Sequence, residues 1–221
     1  MEAANRRAAA WLVVSLLTIG FGVAFVMALS VLPHRAAQSV PDGPTVKVVI
    51  PEGHGSGFSI GNGYIVTAAH VVTGKTIVEV SGKDGRSASA RVLWADTADD
   101  VALLKADDPD MFRADQLACR LVHTGERIRA VGNPLNEDFI STWGHIAGDQ
   151  RAVGNWREAY VTDITILPGM SGGPVYDEAG EVIGISVGVS LTATTKDEGS
   201  VTGMSFIVPS MTICDLLGRS A

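Results

Sequence analysis

Short runs of β-branched and other apolar residues, separated by glycine, aspartate and asparagine, fill most of the chain after residue 44. They predict strands at 45–50, 57–60, 64–67, 76–80, 90–94, 101–105, 127–131, 160–164, 172–176, 182–188 and 205–208. A helical pattern competes only at 210–217, where Pro209 and Ser210 suit the start of a short terminal helix. Many short strands joined by glycine-rich turns predict an all-β barrel or sandwich.

A long apolar segment precedes this region. Residues 8–32 contain no Asp, Glu, Lys, Arg or His. As a helix this segment would be about 37 Å long, which is enough to cross a hydrocarbon core of ~30 Å with some tilt. We therefore predict an N-terminal tail at 1–7, one transmembrane helix at 8–32 and a proline-rich linker at 33–44.

A cleaved secretory signal is the alternative for the same segment, with Arg6 and Arg7 as its basic start. An anchor predicts a single-pass membrane protein whose N-terminus stays inside and whose remainder is periplasmic or extracytoplasmic. A cleaved signal predicts a secreted protein. Both alternatives place residues 45–221 on the far side of a membrane, and the anchor adds the lipid bilayer as a partner through residues 8–32.

Charge and cysteine content exclude several functions. The chain has a net charge of −7, and the acidic excess lies after the linker. Such a surface does not favour nucleic acid, so we predict no nucleic-acid partner. There is no CxxC, HExxH or EF-hand spacing, so we predict no metal and no cofactor. The apolar content of 46% also excludes a disordered chain.

Three local sequences carry chemistry. GYIVTAAHVV ends a predicted strand at His70, DDVALLK places Asp100 before another strand, and PGMSGGP surrounds Ser171 with glycine. A nucleophilic serine needs a tight backbone turn, a base within reach and an acid that orients the base. The order His, Asp, Ser is that of the chymotrypsin arrangement. An α/β-hydrolase is excluded because Pro174 and a predicted strand, rather than a helix, directly follow the Ser171 motif, and because no histidine lies downstream of Ser171.

The sequence resembles trypsin-like serine peptidases of the HtrA/Deg type, in a short form without a PDZ domain. The resemblance rests on GSGF, GYIVTAAHVV, DDVALLK, VGNPL, GMSGGPV and GEVIGIS, which occur in the family's order between residues 55 and 186. It implies two antiparallel six-stranded β-barrels of chymotrypsin-like fold and a short C-terminal helix. The peptidase domain would span 45–221, with an N-terminal barrel at about 45–115, a C-terminal barrel at about 120–209 and the helix at 210–217.

The resemblance also assigns roles. His70 is expected to be the general base, Asp100 its orienting carboxylate and Ser171 the nucleophile, with the amides of Gly169 and Ser171 as the oxyanion hole. Met170 departs from the family, which commonly has asparagine before the nucleophile. The expected substrate-pocket walls carry no charge and favour a small or medium apolar side chain before the cut bond: Thr165, Val187, Gly188, Val189, Gly203 and Ser205.

The two cysteines and His54 are the remaining residues of interest. Cys119 is expected in the segment that joins the barrels and Cys214 in the terminal helix near it, so the two either form a disulfide or remain separate thiols. His54, between two glycines, is interpreted as part of a loop.

The resemblance implies a serine endopeptidase acting on peptides or proteins, and the apolar segment 8–32 adds the expectation that it is membrane-anchored. Alternatives are a catalytically silent binding module on a protease fold and an esterase that uses the same triad. The oligomeric state is left open.

Overall fold

The computed structural model describes residues 44–195 and 198–219. Its first six strands form one closed antiparallel barrel. These are β1 (Thr45–Ile50), β2 (Gly53–Gly61), β3 (Tyr64–Thr67), β4 (Ile77–Ser81), β5 (Ser87–Asp96) and β6 (Val101–Ala106). A single helical turn, α1 (Ala69–Val72), follows β3 directly.

The next six strands close a second barrel, and a helix follows it. These elements are β7 (Arg127–Gly132), β8 (Ile140–Val153), β9 (Trp156–Thr162), β10 (Pro174–Tyr176), β11 (Val182–Thr195), β12 (Glu198–Pro209) and α2 (Ser210–Arg219). Strand order is β1-β2-β3-β6-β5-β4 in the first barrel and, in the same sense, β7-β8-β9-β12-β11-β10 in the second. Each barrel therefore repeats one architecture, although the sequence shows no repeat.

The predicted chymotrypsin-like pair of six-stranded sheets with a short terminal helix is confirmed. The predicted transmembrane helix at 8–32 lies outside the described residues. Within 44–195 and 198–219, no helix has the length and apolar character that a membrane crossing requires.

Strand β8 is the longest segment that the sequence did not predict. It pairs with β7 in regular register but with β9 only through repeated register shifts. Gly144, Gly148 and Asp149 interrupt its alternation of apolar and polar residues, and most of its side chains are at least partly exposed. The period-two pattern that identifies a half-buried strand is therefore weak here.

Apolar residues inside the barrels form two clusters. The larger one fills the first barrel with fully buried side chains such as Val46, Val48 and Phe58, and it continues into the second barrel through Ile185 and Val208. The smaller cluster fills the rest of the second barrel. Because each fully buried side chain of this size contributes about 1.5–3 kcal/mol, the shared cluster fixes one barrel against the other.

The segment between the barrels is bonded to the terminal helix. Cys119 and Cys214 form a disulfide with their Cα atoms 6.0 Å apart. Ile213 and Leu216 of α2 are buried in the larger cluster. Covalent and apolar contacts thus both hold α2 against the body of the fold.

Candidate functional site

Strand pairing brings His70 and Asp100 together. Strand β3 runs antiparallel to β6, with Thr67 opposite Ala102. His70 follows the end of β3 and Asp100 precedes the start of β6, so both lie at the same edge of the first barrel. Antiparallel neighbours place the end of one strand beside the start of the other, which explains how residues 30 positions apart meet.

The Asp100 carboxylate binds the imidazole of His70 at close range. Nδ1 of His70 lies 2.8 Å from Oδ2 and 3.0 Å from Oδ1, and the His70 backbone amide donates to Oδ1 at 2.9 Å. An ionised carboxylate only accepts, so Nδ1 carries the proton and Nε2 is left as an acceptor. Asp100 has a φ of 55°, a left-handed conformation that aspartate tolerates better than most residues.

A third donor reaches this carboxylate from the second barrel. The indole Nε1 of Trp156, the first residue of β9, donates to Asp100 Oδ2 at 3.0 Å. Burial by itself raises the pKa of Asp100, but the hydrogen bonds from His70 and Trp156 outweigh it and hold this pKa below the ordinary value of 3.8. The carboxylate is 9% exposed while the His70 side chain is 48% exposed, so the imidazole faces solvent and the acid does not.

Ser171 lies in a loop that follows a tight turn. The amide of Met170 donates to the carbonyl of Leu167 at 3.0 Å, and Gly169 has a φ of 96°. Pro168 and Gly169 therefore occupy the central positions of a type II turn, where proline suits the first and glycine the second. Ser171 itself is half-buried.

The Ser171 loop is pressed against the segment that leads to His70. Gly172 has a φ of 82°, and a Cβ on it would collide with the Ser56 carbonyl oxygen and the Thr67 hydroxyl and would lie 2.5 Å from the Ala68 nitrogen. Only glycine fits this contact. The loops that carry Ser171 and His70 are thus packed against each other.

Two peptide units in this loop have their carbonyl oxygens held by hydrogen bonds from other residues of the fold. The carbonyl of Pro168 accepts from the Leu135 amide at 2.9 Å. That of Met170 accepts from the Gly173 amide at 2.9 Å and from the Ser186 hydroxyl at 2.5 Å. In a trans peptide the N–H points opposite to the carbonyl, so the amides of Gly169 and Ser171 face away from these partners. Among residues 44–195 and 198–219, neither amide donates a hydrogen bond.

A buried network that the sequence did not predict supports the turn. The Ser56 hydroxyl donates to the Gly169 carbonyl at 2.7 Å and accepts from the Asn133 backbone amide at 2.9 Å and its side-chain amide at 3.0 Å. His54, interpreted from the sequence as part of a loop, lies 2.7 Å through Nε2 from the Asn133 carbonyl. Because a carbonyl only accepts, His54 is the donor, and its bond to Asn133 extends this network.

The residues predicted to line the substrate pocket differ in their exposure to solvent. Gly188 and Val189 are half-buried, and the register of β11 with β12 puts Val189 opposite Ser205. Ser205 is 1% exposed and its hydroxyl donates to the Ile164 carbonyl. The side chain of Val187 is 4% exposed and belongs to the core. Thr165 and Gly203 are exposed. Gly188 faces the ring of Trp156, whose Cη2 would lie 2.7 Å from a Cβ at this position.

Comparisons with known proteins give matches over most of the described chain. The family profile described as "Trypsin-like peptidase domain" matches residues 55–185. "Probable periplasmic serine endoprotease DegP-like" of Halomonas elongata is 38% identical over 160 residues, which cover 70% of this chain and 32% of that protein. "Serine protease Do-like HtrA" of Lactobacillus helveticus is 35% identical over 168 residues, which cover 73% of this chain and 40% of that one.

Solved structures are similar as well. "HtrA-type protease AlgW with tripeptide" superposes with a TM-score of 0.69 and 27% identity, and the match covers 80% of this chain and 60% of that one. The serine endoprotease from Yersinia pestis gives a TM-score of 0.66 at 27% identity and covers 80% of this chain and 62% of that one. The chain spans between about a third and two fifths of the length of the curated relatives it matches.

Proposed function

The chain belongs to the trypsin-like peptidase family, and from that premise we propose that it is a serine endopeptidase with His70, Asp100 and Ser171 as its catalytic triad. The observation that carries the proposal is the 2.8 Å hydrogen bond between His70 Nδ1 and the buried Asp100 carboxylate. This bond selects the tautomer whose Nε2 accepts a proton, which is what a general base for a serine hydroxyl requires.

The reaction begins with the Ser171 hydroxyl. Its oxygen attacks the carbonyl carbon of the peptide bond while Nε2 of His70 takes the hydroxyl proton. The imidazolium that forms is stabilised by Asp100, which remains ionised because its pKa is held low. His70 then donates the proton to the departing amine nitrogen, and an acyl-enzyme ester on Ser171 is left. Water, deprotonated by His70, hydrolyses this ester and restores the serine.

The amides of Gly169 and Ser171 are the proposed oxyanion hole. Their orientation is fixed before substrate binds, because the carbonyls of Pro168 and Met170 are held by hydrogen bonds on the opposite side of each peptide unit. Each such donor stabilises the negatively charged tetrahedral intermediate by roughly 3–4 kcal/mol. Met170 is fully buried in the core of the second barrel, so this role uses its backbone and leaves its side chain to packing.

The uncharged residues predicted to line the substrate pocket favour a small or medium apolar side chain before the cut bond. We propose Thr165, Gly188, Val189 and Gly203 as the accessible part of this wall. Val187 and Ser205 are buried and would act through packing. Loose selectivity is expected, since one methylene changes discrimination by only ~1–3 kcal/mol.

The proposed location is outside the cytoplasm, with residues 8–32 as a membrane anchor. Relatives from Halomonas elongata and Pseudomonas savastanoi carry the description "Probable periplasmic serine endoprotease DegP-like". The Cys119–Cys214 disulfide is typical of an oxidising compartment. Mass spectrometry of the mature N-terminus tests the anchor: a first residue near 30 would mean a cleaved signal, and an intact Met1 or Glu2 would support anchoring.

The activity is tested with the full-length chain, an unfolded protein such as casein and a fluorophosphonate probe that labels activated serines. We expect Ser171→Ala and His70→Ala to abolish cleavage and labelling, while Ser87→Ala, an exposed serine on β5, leaves both unchanged. Cleavage retained by Ser171→Ala would refute the triad. Labelling without any cleavage would favour an esterase if nitrophenyl esters turn over. A folded wild-type chain that is not labelled would favour a silent binding module.

A further inference from the structure

The carboxylate of Asp100 is held by residues of both barrels. His70 supplies two donors from the first barrel, through its ring and its backbone amide. Trp156 supplies the other from the second barrel, through an indole N–H at 3.0 Å from Oδ2. The neighbouring residues form an ion pair between the same two segments, with Arg157 Nη1 3.6 Å from Asp99 Oδ2. Successive residues at the start of β9 therefore reach successive acids before β6.

The indole has a fixed position and orientation. Trp156 follows a two-residue turn, with Val153 paired to Trp156 across it, and Gly154 has the positive φ of 55° that such turns favour. Its ring packs against Phe206, with ring centroids 5.6 Å apart. On another side the ring lies against Gly188, where a Cβ would be only 2.7 Å from Cη2. These contacts need a ring of this shape, but they do not need its N–H.

We propose that Trp156 is a positioning residue for the catalytic carboxylate. It fixes Oδ2 of Asp100 from the second barrel, so that the carboxylate keeps the orientation in which it binds His70 Nδ1. This inference rests on the proposed triad and adds to it a residue that is not part of the triad. Because Trp156 belongs to the second barrel, the orientation of Asp100 then depends on how the second barrel packs against the first.

The physical reason is the count of donors around a carboxylate shielded from water. Oδ2 receives the indole and, at 2.8 Å, the His70 ring, while Oδ1 receives the His70 backbone amide and lies 3.0 Å from the same ring nitrogen. Without the indole, one lone pair of Oδ2 loses its partner in a place where the side chain is 9% exposed. A buried anion with an unmet acceptor rotates toward another donor or toward water. Either movement lengthens the bond to the imidazole that Asp100 must orient.

Removal of the N–H alone tests the proposal. Replacing Trp156 in the full-length chain by benzothienylalanine keeps the shape of the double ring and exchanges N–H for sulfur. We expect kcat to fall about 10-fold with KM nearly unchanged, the size expected for loss of a hydrogen bond to a charged group. Trp156→Phe should have a larger effect because it also removes packing against Phe206.

Trp94 provides the matched control. Its indole nitrogen is buried and has no hydrogen-bond partner among the residues that the structure describes. The same replacement at Trp94 should leave kcat unchanged, since it removes a donor that has no partner in the described residues.

A spectroscopic measurement separates positioning from general stability. The proton between His70 Nδ1 and Asp100 should give a low-field proton NMR resonance that Asp100→Asn removes. We expect benzothienylalanine at 156 to shift this resonance and at 94 to leave it in place. Unchanged kcat, or an unshifted resonance, in the folded variant at 156 would overturn the inference.

These experiments distinguish failure of the proposed triad from failure of the proposed role of Trp156. If Ser171→Ala and His70→Ala keep full activity, the triad is refuted, and the resonance still decides whether Trp156 orients Asp100. If these variants are inactive while the replacement at 156 behaves as wild type, the triad stands and the role of Trp156 is refuted.

Discussion

The backbone amide of Ser56 donates a 2.8 Å hydrogen bond to the carbonyl oxygen of Ser171. Ser56 lies in β2 of the first barrel, and Ser171 lies in a loop of the second. The side chain of Ser56 also binds the Gly169 carbonyl. One residue of the first barrel therefore holds both ends of the short segment that carries the proposed nucleophile, and this segment cannot shift without breaking contacts between the barrels.

Ser186→Ala should impair catalysis more than binding. The Ser186 hydroxyl is fully buried and donates to the Met170 carbonyl at 2.5 Å, which orients the amide of Ser171. After its removal only the Gly173 amide holds that carbonyl. We expect kcat to fall about 10-fold with little change in KM, because a donor used in the transition state loses its alignment. Steady-state kinetics measures this, with Ser87→Ala as the control; an equal rise in KM would contradict it.

Gly172→Ala should be far more damaging than Gly180→Ala. The two glycines have nearly equal φ angles of 82° and 84°, so both substitutions carry the same left-handed strain of about 1–2 kcal/mol. A Cβ at Gly180 meets no atom within 4 Å, whereas one at Gly172 meets Ser56, Thr67 and Ala68.

Chemical unfolding and probe labelling measure the difference between these two variants. We expect Gly180→Ala to be labelled normally and destabilised by the strain alone. Gly172→Ala should lose probe labelling, and its free energy of unfolding should fall by more than the backbone strain. Equal labelling and equal stability of the two variants would mean that the contact at Gly172 is not tight.

Asp115→Asn should stabilise the protein at neutral pH. One carboxylate oxygen of Asp115 is buried without a hydrogen-bond partner among the described residues. Burial raises the pKa of Asp115 above its ordinary value of 3.8, and the opposing effects of Tyr176, Arg129 and Arg113 do not cancel this. Between pH 3.8 and the raised native pKa, the native state therefore binds more protons than the unfolded state, so the free energy of unfolding falls as pH rises through this window.

Urea unfolding at several pH values tests this sign. Asp115→Asn should unfold at higher urea than wild type near pH ~7, and the difference should vanish below the ordinary carboxyl pKa. Asp110→Asn, at an exposed position, is the control. A stability increase that is equally large at acidic pH would show that ionisation of Asp115 is not the cause of the increase.

Reduction of the Cys119–Cys214 disulfide should destabilise the fold. The bond closes a loop with a sequence separation of 95, and the chain-entropy relation gives about 4.7 kcal/mol for such a loop. Guanidinium unfolding with and without a phosphine reductant measures this value. The double variant Cys119→Ala, Cys214→Ala should match reduced wild type and should not respond to reductant. Identical unfolding of oxidised and reduced wild type would refute the prediction.

The sequence predicted the elements whose signals are local. Short apolar runs rich in valine, isoleucine or leucine mark strands such as β1 and β6, and the glycines around Ser171 mark a turn that needs positive φ. Each of these signals depends on neighbours within a few residues. The order of the motifs then gave the family, and with it the arrangement of two barrels.

The sequence did not predict the contacts between distant residues that support the site. Trp156 and Asp100 are 56 positions apart, and the Ser56 hydroxyl meets Gly169 across 113 positions. From the sequence, neither Trp156 nor the Ser56 hydroxyl was assigned a partner at the site. Only the packing of one barrel on the other gives these side chains their partners. His54 was interpreted as part of a loop for the same reason.

The bond between Cys119 and Cys214 makes the second barrel a closed covalent ring. Every peptide bond from residue 120 to residue 213 lies within that ring, including the loop of Ser171 and the start of β9. A single hydrolytic nick there opens the ring but yields no separate fragment. A chain cleaved once within the ring would therefore still run as one species on a non-reducing gel. The two fragments would separate only after the disulfide is reduced.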